Sequence, residues 1–462
     1  MVNLPKKILI VSAILILVLG IRILPFLKYG DHPLGYDTGF YRQYIISPTI
    51  SFPNPPSEIL GRSSLGTRIF IDILKFSHLP PNYILYGGYL FSIILVGLFL
   101  FLFTHYLFGF SAGILALFLF AISPAQYTTY WYFLWKNALG TAFLFWAFLM
   151  IEKRSYSAII SSLLVVLTHT TTSIIFIPTV TIYYLTCLFK NSSFIKLLNK
   201  KWWLGVVGIF GLFIFIQWPI NFSYYYNAQA LFLSATEYLR LSVFLFPLAI
   251  IGLYSYWEKI KKSLLLPFAL ITFSFPIFYL PFYQRIFPFI DLVIIILASF
   301  GIKTLFKYVI GPNSLPTKNI HKIGVFLFVI WMLTATSIQT YSQINKLRPL
   351  VSKDVIQNLE SISTIIPKNA SILTTTDLAP WVYGWSQNKV FAPGLINNPY
   401  SETAWEKFWS SSDEKAKKEF LNAYPKPLYL FIDENYKYIY LPSETCGEKL
   451  SEFIYKYTCI TQ

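Results

Sequence analysis

Two aspartates, a histidine and an arginine crowd into YGDHPLGYDTGFYRQYI, residues 29–45, directly after the apolar run 8–27. Asp37 ends HPLGYD just ahead of a predicted helix. A carboxylate there has two compatible uses. As an N-cap it accepts the unpaired amides of the first turn. As a general base at the water-facing mouth of a membrane cavity it takes a proton, with partial burial raising it toward a useful range. Asp31 and His32 join Asp37 in a set of donors suited to a divalent cation such as Mg or Mn, while Gly30, Pro33 and Gly35 explain the same placement as a turn. Tyr41 and Arg42 follow on the same helix and are expected to line the cavity.

Three more places hold polar groups against an apolar background. Arg285, in FYLPFYQRIFPFID, lies between two apolar spans. Arginine in a membrane costs a few kcal/mol unless it snorkels or meets an anion, and its planar fork suits a phosphate bidentately; the simpler alternative is an interfacial anchor beside Tyr283. Asp291, deeper in that span, needs a partner. His169, in LTHTTTSII, divides one apolar stretch into two pieces too short to cross a bilayer comfortably. Broken helices at membrane depth line cavities, so His169 and its threonines are expected to do so. Glu237, in SATEYLR, reaches the outer face as a further cavity residue or as a partner for Arg240.

The elements that must position these groups follow from composition. Of 462 residues, 55% are hydrophobic, 19% aromatic and 13% charged, against about 25% charged in soluble proteins. This is a polytopic membrane protein. The net charge of +16 excludes no class by itself, but the lysines fall in short loops between apolar runs and no basic stretch is interleaved with a binding motif. The pattern is topological and predicts no nucleic-acid partner. The first run follows Lys6 and Lys7, exceeds the apolar core of a signal peptide and is followed by no cleavage site, which predicts a retained anchor with a cytoplasmic N-terminus.

Eleven apolar runs follow one another, at about 8–27, 84–104, 110–124, 137–151, 156–168, 173–189, 202–219, 241–257, 263–282, 286–302 and 323–341. The denser Lys and Arg fall on the side of Lys6, which sets the parity and sends the C-terminus outside. The fold class expected is a mainly α polytopic protein of about eleven transmembrane helices, residues 1–341, followed by a small extracytoplasmic α/β domain, residues 342–462. The first outer loop, 28–83, holds two predicted interfacial helices, DTGFYRQYII and LGTRIFIDILKF, with apolar residues opposite charges. The tail turns abruptly polar and alternates helix-like and strand-like segments. Of three cysteines, Cys446 and Cys459 lie in the tail, where an oxidising compartment allows them to pair.

With GYDTGFY after the anchor, THTTTS between short paired helices and YQRIF opening a late span, the arrangement resembles the GT-C superfamily of integral-membrane glycosyltransferases, which transfer sugars from polyprenyl-phosphate-linked donors. The resemblance covers the whole membrane part and rests on architecture more than on letters. It implies a catalytic or metal-binding carboxylate at Asp37 and contact with the lipid phosphate at Arg285. It also implies a polyprenyl-phosphate sugar donor and a glycan, lipid or protein acceptor, brought together in the plasma membrane among its lipids. In the tail, APWVYGWSQNKVFAPG (379–394) is similar to the aromatic-Tyr-Gly signature of oligosaccharyltransferase catalytic subunits. Val382 stands where that signature has aspartate, and AQYTTYWYFLWKNALG (125–140) lacks the paired carboxylates of those enzymes. The rival from another class is a transporter or lipid flippase, against which no two halves of the chain match; a third is an assembly protein that uses the tail for docking.

Overall fold

The computed structural model describes residues 4–30, 32–47, 64–190, 208, 211, 233–310, 319–386, 388–393, 400–410, 413–432 and 446–459. They form two compact units: Met1–Lys28, Arg62–Phe70 and Gly87–Leu347 in the first, and Tyr29–Gly61, Ile71–Tyr86 and Arg348–Gln462 in the second. The division expected after residue 341 falls at Leu347, and most of the first outer loop groups with the tail instead of with the spans.

In the first unit, α1 (Leu4–Tyr29) is one long apolar helix. The loop then contributes α2 (Thr38–Ile46), which belongs to the second unit, and α3 (Leu65–Lys75), whose start belongs to the first. The chain continues through α4 (Pro81–Phe108), the bent pair α5 (Phe110–Ile122) and α6 (Pro124–Trp131), and α7 (Trp135–Glu152). After α8 (Ser157–Thr168) and α9 (Thr170–Lys190) come α10 (Ala235–Ser242), α11 (Phe246–Ile260), α12 (Leu265–Ile277), α13 (Tyr283–Ile310) and α14 (Asn319–Lys346). Among the described residues five helices are long and apolar enough to cross a membrane, or seven if each bent pair is one span. Of the eleven spans expected, the described residues thus supply five to seven. Several runs fold as helices of 12 to 18 residues, 110–124 and 241–257 bend sharply, and 202–219 lies almost wholly outside the described residues.

Burial ranks the spans. The apolar window of α13 is 78% buried, against 17% in α1 and 22% in α14, so α13 is the core helix and the other two present apolar surface outward. Two glycines let α11 lie directly on α13. A Cβ on Gly252 would stand 1.9 Å from the Leu297 carbonyl oxygen, and one on Gly301 1.9 Å from that of Leu248. Small residues at such crossings let backbones approach where lipid gives no hydrophobic drive.

Among the described residues the second unit has five strands: β1 (Ser371–Thr374), β2 (Lys389–Phe391), β3 (Leu428–Phe431), β4 (Gly447–Lys449) and β5 (Ile454–Tyr457), in the order β2-β1-β3-β5-β4. β1 pairs in parallel with β2 and β3, and β5 antiparallel with β3 and β4. One apolar cluster includes α15 (Lys353–Ile365) and α16 (Ala379–Ser386), with Leu359, Ile362, Trp381 and Val382 against Ile372 and Phe431. Another joins Trp405 and Phe408 of α17 (Glu402–Ser410) and Phe420 of α18 (Glu414–Asn422) to Leu373 and Leu430. β1 and β3 are buried in every residue because both faces of the sheet are covered, and β3, LYLF, is apolar throughout. A disulfide joins Cys446 to Cys459 beside the β4–β5 hairpin.

Candidate active site

Asp37 stands immediately before α2, half-buried. Its backbone carbonyl accepts from Phe40 N at 3.1 Å and Tyr41 N at 3.4 Å. Its carboxylate makes no capping bond, so the capping use open to it in the sequence is not the one it has. The turn that delivers it needs Gly35 at φ +67°, a left-handed conformation that side chains rarely adopt. Beyond the turn Thr38 donates back to the Leu34 and Gly35 carbonyls.

The face of α2 expected to lie in a membrane interface packs on α16 instead. Thr38, Gly39, Phe40, Tyr41, Tyr44 and Ile45 are all buried. A Cβ on Gly39 would stand 1.8 Å from the Pro380 carbonyl oxygen, and one on Gly384 2.5 Å from the Gly39 Cα. Around this crossing Arg42 Nη1 donates to the Gly384 carbonyl at 2.6 Å and its guanidinium lies 4.5 Å from the Trp385 ring. Burial, opposed by Tyr86 and Glu360, pulls Arg42 below the ordinary arginine range. The Tyr36 hydroxyl donates to the Thr376 carbonyl, and its ring meets Trp381 edge-on. GYDTGFYR and WVYGW, more than 300 residues apart, therefore form one contact. In sequence its only trace was a glycine in each partner. Tyr41, expected to line a cavity, is fully buried within this unit.

α3 differs from α2. Ile69, Ile73 and Phe76 are 44%, 61% and 69% exposed while Arg68 is only 3% exposed, so the apolar side faces outward as an interfacial helix requires. Within the first unit its start packs on the broken helix: a Cβ on Gly66 would be 2.5 Å from Thr168 Oγ1.

In the first unit, His169 is extended and buried at the break between α8 and α9. Its Nδ1 accepts from the Thr172 amide at 3.3 Å and lies 2.9 Å from the Thr172 hydroxyl, which ties the break to the first turn of α9. Lys136 and Arg285 both act on the His169 ring electrostatically, and three distant segments thus bring two cations toward one histidine. Lys136 was not among the expected residues. Arg285 opens α13 after a turn in which Tyr279 and Phe282 hold φ of +49° and +69°. Strain of this kind persists only where its surroundings over-determine it, and it clusters at functional sites.

Asp291 finds its partners. Its carboxylate accepts from Ser123 at 2.7 Å, Gln126 at 3.0 Å and Ser242 at 3.0 Å, and Gln126 also donates to the Pro288 carbonyl at 2.8 Å. Beside this cluster a cavity of about 40 Å³ is lined by Arg22, Gln126, Tyr130, Asn137, Thr141 and Pro288 among others, room for a water or two. Arg22, inside the apolar run 8–27, is only 1% exposed. It reaches the Phe120 and Ala121 carbonyls at 3.4 Å, with the Phe120, Tyr127 and Tyr130 rings within 6 Å.

No family model matches the chain, and no curated sequence relative does. Solved structures match well. The oligosaccharyltransferase of Archaeoglobus fulgidus, tethered to an acceptor peptide, aligns over 93% of this chain and 69% of its own with a TM-score of 0.65 at 12% identity. The same organism's AglB, in complex with an inhibitory peptide and dolichol-phosphate, gives 0.63 at 14% identity over 93% and 69%. ArnT from Cupriavidus metallidurans, bound to undecaprenyl phosphate, aligns over 97% of both chains with a TM-score of 0.55 at 10% identity. The chain shares its fold with these oligosaccharyltransferase and ArnT structures.

Asp31 lies outside the described residues. His32 spends its Nδ1 on the Tyr29 carbonyl at 3.0 Å. Among the described residues no three His, Cys, Asp or Glu side chains converge. Glu237, expected in a cavity, is exposed; its carboxylate accepts from the Ser234 amide at 3.1 Å and closes a capping box at the start of α10. That local use needs only the S-x-x-E spacing, visible in SATE.

Proposed function

We propose that the protein transfers a sugar from a polyprenyl-phosphate-linked donor to a glycan, lipid or protein acceptor at the extracytoplasmic face. The acceptor hydroxyl oxygen attacks the anomeric carbon as the bond from that carbon to the phosphate oxygen breaks. The acceptor proton passes to the Asp37 carboxylate. The lipid phosphate leaves with its charge held by Arg285, which stabilises the transition state more than the ground state. Single displacement of this kind inverts the anomeric centre.

The observation that carries the reading is the likeness of the whole chain to GT-C proteins, two of them seen with dolichol-phosphate or undecaprenyl phosphate. The Asp37 carboxylate, not used as a cap at the start of α2, supports it. Val382, standing where the oligosaccharyltransferase signature has aspartate, favours an acceptor other than a peptide asparagine.

The test incubates purified protein with a panel of polyprenyl-phosphate sugars and measures thermal stabilisation by each donor, then transfer with the donor that binds. The expected result is binding by both Asp37→Asn and Arg285→Ala, more weakly by Arg285→Ala, with transfer lost from each. Wild-type transfer by both variants would remove the assignment. Lipid movement in liposomes without any transfer would favour the flippase.

A further inference from the structure

At the end of the first unit opposite Asp291, the last turn of α4 is surrounded by cations. Lys303 Nζ donates to the Phe108 carbonyl at 2.7 Å, Lys7 Nζ lies 5.4 Å from the Phe110 ring, and Lys153 Nζ lies 5.6 Å from the Tyr106 ring. The acid nearest in sequence, Glu152, is directed elsewhere: its carboxylate accepts from the Leu264 amide at 2.6 Å and the Tyr183 hydroxyl at 3.4 Å. Between α4 and α7 an open groove of about 450 Å³ runs from this end along the helices. His105, Tyr106 and Lys153 form its polar end, all three exposed. Phe99, Trp146 and Leu149 form its apolar floor, with Phe99 and Trp146 stacked at 5.6 Å.

A groove that is cationic at a helix end and apolar along the helices has the polarity of a single lipid standing in a leaflet. Basic pockets between helices take anionic head groups, and a stacked aromatic floor suits an acyl chain. We propose that this groove binds one anionic glycerophospholipid, its phosphate between His105 and Lys153 and an acyl chain along Phe99, Trp146 and Leu149. The site is independent of the residues assigned to sugar transfer.

Bromine on an acyl chain quenches nearby tryptophan, and the difference between wild type and Trp146→Phe isolates Trp146. The full-length protein in detergent is titrated with chain-brominated phosphatidylglycerol and phosphatidylcholine. The expected result is Trp146-dependent quenching that saturates at about fivefold lower phosphatidylglycerol than phosphatidylcholine, the discrimination one cation near a membrane surface supplies. Lys153→Gln, an exposed change, is expected to abolish that preference while leaving quenching by phosphatidylcholine. Equal titration by both lipids, or a preference that survives Lys153→Gln, overturns the head-group site. Release of quenching by inorganic phosphate alone, or by polyprenyl phosphate at lower concentration than phosphatidylglycerol, overturns the occupant. None of these readouts depends on transfer activity.

Discussion

Arg42 donates from Nη1 to the Gly384 carbonyl at 2.6 Å and lays its guanidinium on Trp385, so residues 342 positions apart in the chain close a single clamp behind Asp37. Arginine combines a permanent charge, a planar donor fork and a stacking face, which lysine does not. Arg42→Lys is expected to keep the charge but lose the stacking, and Arg42→Ala to lose both. A hydrogen bond from a charged donor contributes about 1.5–3 kcal/mol. Melting of the purified protein should therefore fall in the order wild type, Lys, Ala. Equal stability of the three would show that the clamp is dispensable.

The crossing of Gly39 and Gly384 leaves no room for a methyl group, because the atoms in the way are backbone. Gly39→Ala is expected to cost about 1–3 kcal/mol or more by overpacking, and to lower sugar transfer by moving α2 with Asp37. Gly20→Ala is the control: nothing stands within 4 Å of a Cβ there, and the exchange favours a helix interior by roughly 0.5–1 kcal/mol. Thermal melts of the two variants should move in opposite directions.

Asp291 accepts from three buried donors, Ser123, Gln126 and Ser242. Asp291→Leu leaves Ser123, Gln126 and Ser242 without that acceptor, each at a desolvation cost of about 1–3 kcal/mol where the donor stays buried. Ser242→Ala removes one donor and is expected to be far milder. A melt in which Asp291→Leu matched Ser242→Ala would mean that the cluster is not what holds α6 and α10 to α13.

Arg22 sits at the C-terminal end of α5, where a cation is favoured by the helix dipole, among three rings that attract it further. Arg22→Met is expected to lower the melting temperature despite its better fit to lipid. Arg22→Lys should recover only part of the loss, since its compact ammonium cannot span two carbonyls and three rings together. A more stable Arg22→Met protein would reverse this account.

The Cys446–Cys459 bond closes a short loop in the second unit, and such bonds typically contribute about 2–4 kcal/mol. Reduction should make the tail more sensitive to limited proteolysis while helices α4 to α14 keep their resistance. Unchanged cleavage after complete reduction would show that the sheet holds itself together without the bond.

How much of this was legible in the sequence differs from residue to residue. The apolar runs announced the long helices, because about 20 apolar residues in a row have few other uses. The break at His169 was equally legible: THTTTS interrupts an apolar stretch and supplies side chains that satisfy the freed amides locally. The capping box of Glu237 was legible in SATE, since it needs only residues three apart. Arg22 was hidden in its run, since one arginine scarcely lowers the mean hydropathy of 20 residues.

What the sequence determined by itself is what depends on neighbours along the chain: spans, breaks, the polar tail and the amphipathic face of α3. What only the tertiary structure decided is which surfaces meet. The apolar face of α2 suits a membrane interface or a protein partner equally well, because burial of apolar area is not directional. The backbone contact of Gly39 with Gly384, the clamp of Arg42, the partners of Asp291 and the joining of Cys446 to Cys459 all depend on distances between segments far apart in the chain, and those are set only once the helices and the sheet have packed.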